Sequence, residues 1–341
     1  MSILTSLSQP VRAVSATTSW QSKLRDAIRD PGELCRRLRL PSDLARNGER
    51  GAAQFPVFVP PSYLARIRPA DPRDPLLRQV LPMATESQQV PGFSLDPVGD
   101  APASLRPGVL QKYHGRALLI TTGACAVHCR YCFRRHFPYE EVPHSDAAWD
   151  TALAAIAADA SIHEVILSGG DPLMLVDERL ARLAEKIAAI PHVCRLRVHT
   201  RLPIMIPARV TKQLLTWLTG SRLTPVVVLH ANHAQELDRT VAQSLASLRQ
   251  AGATLLNQAV LLRNVNDSVA VQVALGARLI ELGVLPYYLH QLDRVAGAAH
   301  FEVPVTEGLQ LMKDLRAQLP GYAVPRYVQE VAGEPHKKVL A

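Results

Sequence analysis

The chain has 341 residues, 48% of them hydrophobic, enough to bury the core of one large α/β domain with an appendage. No run of about eighteen apolar residues occurs, which excludes a membrane-spanning helix. The net charge of +8 invites an anionic partner, yet the basic residues are scattered apart from Arg36-Arg37-Leu38-Arg39. Only 5% of residues are aromatic, so base stacking on nucleic acid is not expected.

Residues 1–25 contain no acid and are rich in Ser and Thr, a composition faintly similar to an organellar transit peptide. They lack the apolar centre of a secretory signal and are read as a helical or frayed start of a cytoplasmic protein. Helical spacing follows over 19–28 and 61–67, and prolines are frequent throughout 1–107. That region is read as a mainly helical N-terminal extension closing on a proline-punctuated linker at 93–107.

From Lys112 the pattern changes. Short aliphatic or β-branched runs end near Thr121, Ser168, His199, His230, Leu261 and Tyr288, mostly about thirty residues apart. Helical patterns fill the gaps at 146–160, 177–190, 207–218, 234–251 and 267–282, and one more follows at 305–319. Strand and helix alternating at that period give βαβ units around a parallel sheet. Six units predict an α/β fold, a partial (β/α)6 barrel over 108–320. The remaining 321–341 holds Pro325, Gly333 and Pro335 and is read as a short extended tail rather than another repeat.

Active sites of (β/α) barrels sit at the carboxyl ends of the strands. Those ends carry Ser168-Gly169-Gly170-Asp171, His199-Thr200-Arg201, the group His230, Asn232 and His233, then Asn257 and Gln258, and finally Tyr288 to Asp293. Gly-Gly-Asp-Pro alone is ordinary turn chemistry. A single histidine is more often structural than functional, but repetition on strand after strand marks a site.

After the first of these strands stands Cys125-Ala126-Val127-His128-Cys129-Arg130-Tyr131-Cys132. An odd total of five cysteines, three of them crowded together, does not make a disulfide framework. Three soft thiolates at this spacing can hold three irons of a cubane cluster and leave the fourth iron open to a substrate. Zinc is the rival, with His128 or His136 as a fourth ligand, although structural zinc sites usually show paired knuckles. Cys35 and Cys194 are isolated and read as small buried hydrophobes.

The CxxxCxxC pattern, with Phe133 beside its last cysteine, resembles the radical S-adenosylmethionine (SAM) superfamily. Several strings together resemble the lysine 2,3-aminomutase family: Tyr113 with Arg116, Cys132-Phe133-Arg134-Arg135, Ser168-Gly169-Gly170-Asp171-Pro172-Leu173, Thr200-Arg201-Leu202-Pro203, Leu261-Leu262-Arg263-Asn264-Val265-Asn266-Asp267 and Pro286-Tyr287-Tyr288. The likeness is greatest to the shorter bacterial enzymes that supply β-lysine for modifying elongation factor P. It implies a 4Fe-4S cluster on Cys125, Cys129 and Cys132, whose open iron chelates SAM. The segment implied beside SAM is Gly169-Gly170-Asp171, and Ser168, His230, Gln258 and Tyr288 are implied as further cofactor-binding residues.

The same resemblance implies pyridoxal 5'-phosphate bound through a lysine near the chain's end, here Lys337, with Lys338 as the neighbouring alternative. Lys112, Tyr113 and Arg116 are implied for its phosphate. Arg134 is implied for the carboxylate of the L-lysine substrate, and Asp293 with Glu330 for its ε-ammonium, glutamate standing where the family has aspartate. Implied partners are a flavodoxin- or ferredoxin-type electron donor, elongation factor P and the ligase that acts on it, with no nucleic acid and no membrane. Homo-oligomer formation is left open. Two other readings remain: a radical SAM enzyme without pyridoxal phosphate, and a zinc-stabilised basic nucleic-acid-binding protein.

Overall fold

The computed structural model describes residues 19–142 and 145–341, so the expectations for 1–18 lie outside the described residues. The N-terminal part forms α1 (Trp20–Arg25), α2 (Pro31–Arg37), α3 (Ser42–Ala52) and two single-turn helices, α4 (Pro61–Leu64) and α5 (Pro75–Arg78). Proline opens α2, α4 and α5, positions where its missing N–H would have had no intrahelical partner. Only the first part of the 19–28 pattern becomes helix, because Ile28 turns out to bridge Val59.

The segment expected to be a linker carries structure. Within and beyond it, β1 (Ser104–Arg106) and β2 (Val109–Leu110) form an antiparallel ribbon on β3 (Arg116–Thr122). The chain then runs through α6 (Asp146–Ala158), β4 (Glu164–Gly169), α7 (Asp177–Ala188), β5 (Arg195–Thr200), α8 (Leu202–Met205) and α9 (Lys212–Thr219). It continues with β6 (Thr224–Leu229), α10 (Arg239–Gln250), β7 (Thr254–Val260), α11 (Val269–Glu281), β8 (Leu285–His290) and α12 (Val305–Arg316).

Three of these helices start later than the apolar spacing alone suggests, because a polar residue caps each one. Thr211, Asp238 and Ser268 accept the amides of Leu214, Val241 and Val271, which fixes α9, α10 and α11 at those points.

The tail is more than extended chain. It forms β9 (Arg326–Gln329), which pairs in parallel with β8, and β10 (Lys338–Val339), which returns antiparallel on β9. Tyr327 and Val328 are fully buried, so this short run completes a seventh parallel strand. Strands β3 to β9 each pair with their chain neighbours, and β1 and β10 leave the sheet unclosed, as a partial barrel requires. Cys35 is buried as expected. Cys194 is exposed instead, because it sits on the turn entering β5 rather than under a helix.

Candidate active site

Side chains alternate faces along a strand. On β4 and β5, Val165, Leu167, Leu196 and Val198 enter the core under the helices, whereas Ile166, Ser168, Arg197 and His199 line an interior cavity of about 380 Å3. The same alternation brings in Val228 and His230, Gln258 and Val260, and Tyr288 and His290. Lining this space are Lys112, Tyr113, Arg116, Cys125, Cys129, Cys132, Arg134, Ser168, Gly169, Gly170, Asp171, His230, Gln258, Tyr288, Asp293, Glu330 and Lys337, whereas Asn232, His233 and Asn257 from the strand ends do not reach it. Lys338 is exposed in β10 and does not.

The cysteine loop follows β3 and is held by the N-terminal extension. The Arg130 amide donates to the Gln79 carbonyl at 2.9 Å, and the His128 amide to that of Phe58 at 3.2 Å. The Arg130 guanidinium reaches Glu86 at 2.9 Å and the Phe55 carbonyl at 2.7 Å. Both histidines considered as zinc ligands are engaged elsewhere. His128 Nδ1 meets the Pro56 carbonyl at 2.8 Å, and His136 Nε2 meets that of Ala296 at 3.0 Å.

Among the described residues no trio of His, Cys, Asp or Glu converges on a single-ion geometry. The three thiols instead share one wall. Burial pushes Cys132 up to about 11, with Cys129 adding to it, and drives Cys125 well above its ordinary value. Three thiols lining one cavity, with no histidine or carboxylate among the described residues joining them, fit a polynuclear iron–sulfur centre better than one zinc ion.

Gly169 and Gly170 let β4 touch that loop. The Gly170 amide donates to the Thr122 carbonyl at 2.7 Å and the Asp171 amide to that of Ala124 at 2.8 Å. Gly169 holds φ +119°, and a Cβ there would stand 2.6 Å from the Thr122 oxygen. Gly169→Ala should therefore cost about 1–3 kcal/mol. Thermal denaturation together with the iron content after reconstitution checks it, both falling. Asp171 is occupied with the backbone: its carboxylate accepts the amides of Leu173 (3.0 Å), Arg201 (2.8 Å) and Leu202 (3.0 Å), and the Thr200 hydroxyl at 2.8 Å.

From Lys337 to Arg134 the charges form a chain. The Lys337 amine pairs with Glu330, whose other oxygen accepts the Tyr113 hydroxyl at 2.6 Å. Lys112 stands 3.8 Å from Glu330 and 2.7 Å from Asp100, and Asp100 accepts Arg134 Nε at 2.7 Å. Although burial opposes it, Lys337 with its hydrogen bonds holds Glu330 below the usual carboxylate range. Burial pushes Asp293 up to about 7, and the charge of Glu330 adds to the rise. Burial likewise holds the His199, His230 and His290 imidazoles down, His230 to about 4, so all three are neutral near pH 7. Asp100, from the supposed linker, is a site residue that the sequence reading missed. So are Gln79 and Glu236, considered below.

The family model for the radical SAM superfamily matches residues 119–269. A protein named L-lysine 2,3-aminomutase from Escherichia coli is 48% identical over 322 residues, 94% of this chain and 94% of the relative. One of the same name from Haemophilus influenzae is 44% identical, over 95% of this chain and 96% of the relative. Another from Clostridium subterminale is 34% identical, over 92% of this chain and 76% of the relative. With identities of 34% to 48% over more than nine-tenths of its length, the chain belongs to the lysine 2,3-aminomutase family of radical SAM enzymes.

Proposed function

We propose that this protein is an isomerase that moves the α-amino group of L-lysine to C3, giving β-lysine. The carrying observation is one cavity that joins three thiols to an amine, Lys337, flanked by the carboxylates of Glu330 and Asp293. When bound, a 4Fe-4S cluster with SAM supplies hydrogen-abstracting one-electron chemistry, and pyridoxal phosphate supplies the carbon that carries the migrating nitrogen.

Cys125, Cys129 and Cys132 would hold the cluster through their thiolates. Ser168, Gly169, Gly170, His230, Gln258 and Tyr288 wall the space for SAM, and Asp171 keeps the glycine turn in shape. Lys337 anchors pyridoxal phosphate. Arg116 has no carboxylate partner among the described residues and lies 4.7 Å from the Tyr113 ring, so its charge is free for the phosphate. Lys112 and Tyr113 complete that contact.

Arg134 is fixed through Nε by Asp100, while its Nη2 makes no hydrogen bond among the described residues; that edge receives the substrate carboxylate. Glu330 and Asp293 receive the ε-ammonium, since a cation taken from water needs paired charge. Neutral His199 and His290 help to exclude water without adding a competing cation.

Asp293 gives the lysine affinity a pH dependence. A carboxylate titrating at about 7 must be ionised to hold the ammonium, so KM for lysine should fall as pH rises from about 6 to 8, by about tenfold, and then level off. Asp293→Asn should flatten that profile at a high KM. For stability the sign is the reverse of a usual acid. The folded value lies above the ordinary 3.8, so the contribution is full below 3.8 and is lost as pH rises through about 7. Asp293→Asn should therefore melt higher than the parent above pH 7.

The reading extends to a free L-lysine substrate, a flavodoxin- or ferredoxin-type electron donor, the cytoplasm, and a product used on elongation factor P by its ligase. Likeness to the shorter bacterial members supports the last of these, and among the described residues no helix is long and apolar enough to cross a membrane. The deciding experiment is anaerobic incubation with L-lysine, SAM, pyridoxal phosphate and a reductant, with chromatography for β-lysine. No β-lysine from protein carrying full iron and sulfide would overturn the reading.

A further inference from the structure

Behind the cysteine loop lies a buried polar network that the steps above leave unused. Arg201, which follows β5, donates from Nη1 to Cys129 Sγ at 2.8 Å. Its Nη2 donates to Glu236 Oε2 and to Gln79 Oε1, each at 2.7 Å. Arg201 is 6% exposed, and Glu236 and Gln79 are fully buried. The amides of Asn232 and His233 hold Glu236 at 2.9 and 3.1 Å, and the Asn232 side chain links Gln79 to the Tyr131 hydroxyl.

Elements far apart in the chain are thus committed to aiming one guanidinium at one sulfur. A buried ion pair is weak evidence for stability, since an apolar replacement often folds as well or better. The treatment of the three thiols is also unequal. Cys132 receives only the Arg134 backbone amide, and Cys125 receives no hydrogen bond among the described residues.

We propose that Arg201, oriented by Glu236 and Gln79, sets the reduction potential of the cluster held at Cys129. The inference rests on the cluster reading of the site. A hydrogen bond and a positive charge at a ligand sulfur stabilise the extra electron of the reduced cluster and raise its potential. Glu236 opposes this by cancelling the charge of the guanidinium. The pair leaves the directional N–H···S bond while withholding the full effect of a bare cation. That balance suits a cluster that must accept an electron and still be a strong enough reductant to break a sulfonium. Arg201 is here a positioning and tuning residue, touching the ligand sulfur rather than the substrate.

The test is a redox titration of the full chain, reconstituted anaerobically without SAM and followed by electron paramagnetic resonance, with iron and sulfide counted first. The double variant Arg201→Met with Glu236→Gln removes donor and counter-ion together and leaves no lone buried charge. It should lower the midpoint potential, leaving about tenfold less reduced cluster at a fixed potential, about 59 mV for one electron. Glu236→Gln alone leaves the cation uncompensated and should move the midpoint the other way. Unchanged midpoints in both variants overturn the proposal.

If only the double variant loses its iron, Glu236→Gln decides on the same terms. Loss of the cluster in both assigns the network to folding alone and also overturns the proposal. Absence of iron and sulfide from the parent protein sinks the cluster reading first, and the metal analysis reports that before any potential is measured.

Discussion

Lys337→Ala should yield a protein that loses pyridoxal phosphate on dialysis and turns over about three orders of magnitude more slowly, a loss of about 4 kcal/mol in the barrier. The Lys337 amine is the one the fold aims into the cavity, paired with Glu330 and 5.8 Å from the Tyr113 ring, whereas Lys338 is exposed in β10. Lys338 cannot substitute without breaking its pairing with Gln329. Removing the ammonium also strips Glu330 of its strongest partner, so that carboxyl should rise toward its ordinary range. The checks are visible absorbance of the dialysed protein and β-lysine formation, with iron content as the control that the barrel is intact. Retained colour with full activity would remove Lys337 from the mechanism.

Cys132→Ala should bring iron and sulfide to background and abolish reductive cleavage of SAM. The three thiols stand along one wall, and with one removed the two remaining sulfurs leave half of a four-iron cubane without protein ligands. Burial and the neighbouring sulfur hold Cys132 at about 11, so the thiol is neutral near pH 7 and its loss removes no buried charge. The variant should therefore fold with little change in melting temperature yet carry no cluster. Cys194→Ala, at an exposed turn, should leave both metal and activity untouched. Full iron in Cys132→Ala would refute the ligand set.

The barrel and its inner face were legible because both rest on short-range repetition. A period of about thirty residues marks each βα unit, and alternation by two decides which strand residues look inward. The cysteine loop was legible for the same reason: its ligands are packed into one short run. Asp100, Gln79 and Glu236 were not, because each acts through partners distant in sequence. Asp100 meets Arg134, and Gln79 meets residues more than a hundred positions away, with no local spacing to announce either. The seventh strand was hidden by its length and by Pro325 just before it. Four residues give too little alternation to read, and burial of Tyr327 and Val328 against β8 is visible only once the sheet is assembled. The glycines after β4 were legible as a turn, but not their second task of admitting the cysteine loop.

Lys337 hangs on a weakly laddered edge of the sheet. Lys337 lies just before β10, a strand that meets β9 through Lys338↔Gln329 and Val339↔Val328, with three further backbone hydrogen bonds joining Tyr327 to Leu340 and Ala341. Both strand residues are exposed, and the apolar contact of this flap with the core comes from Leu340 and Ala341. Loss of that pairing would take Lys337 away from Glu330 while leaving β3 to β9 paired among themselves.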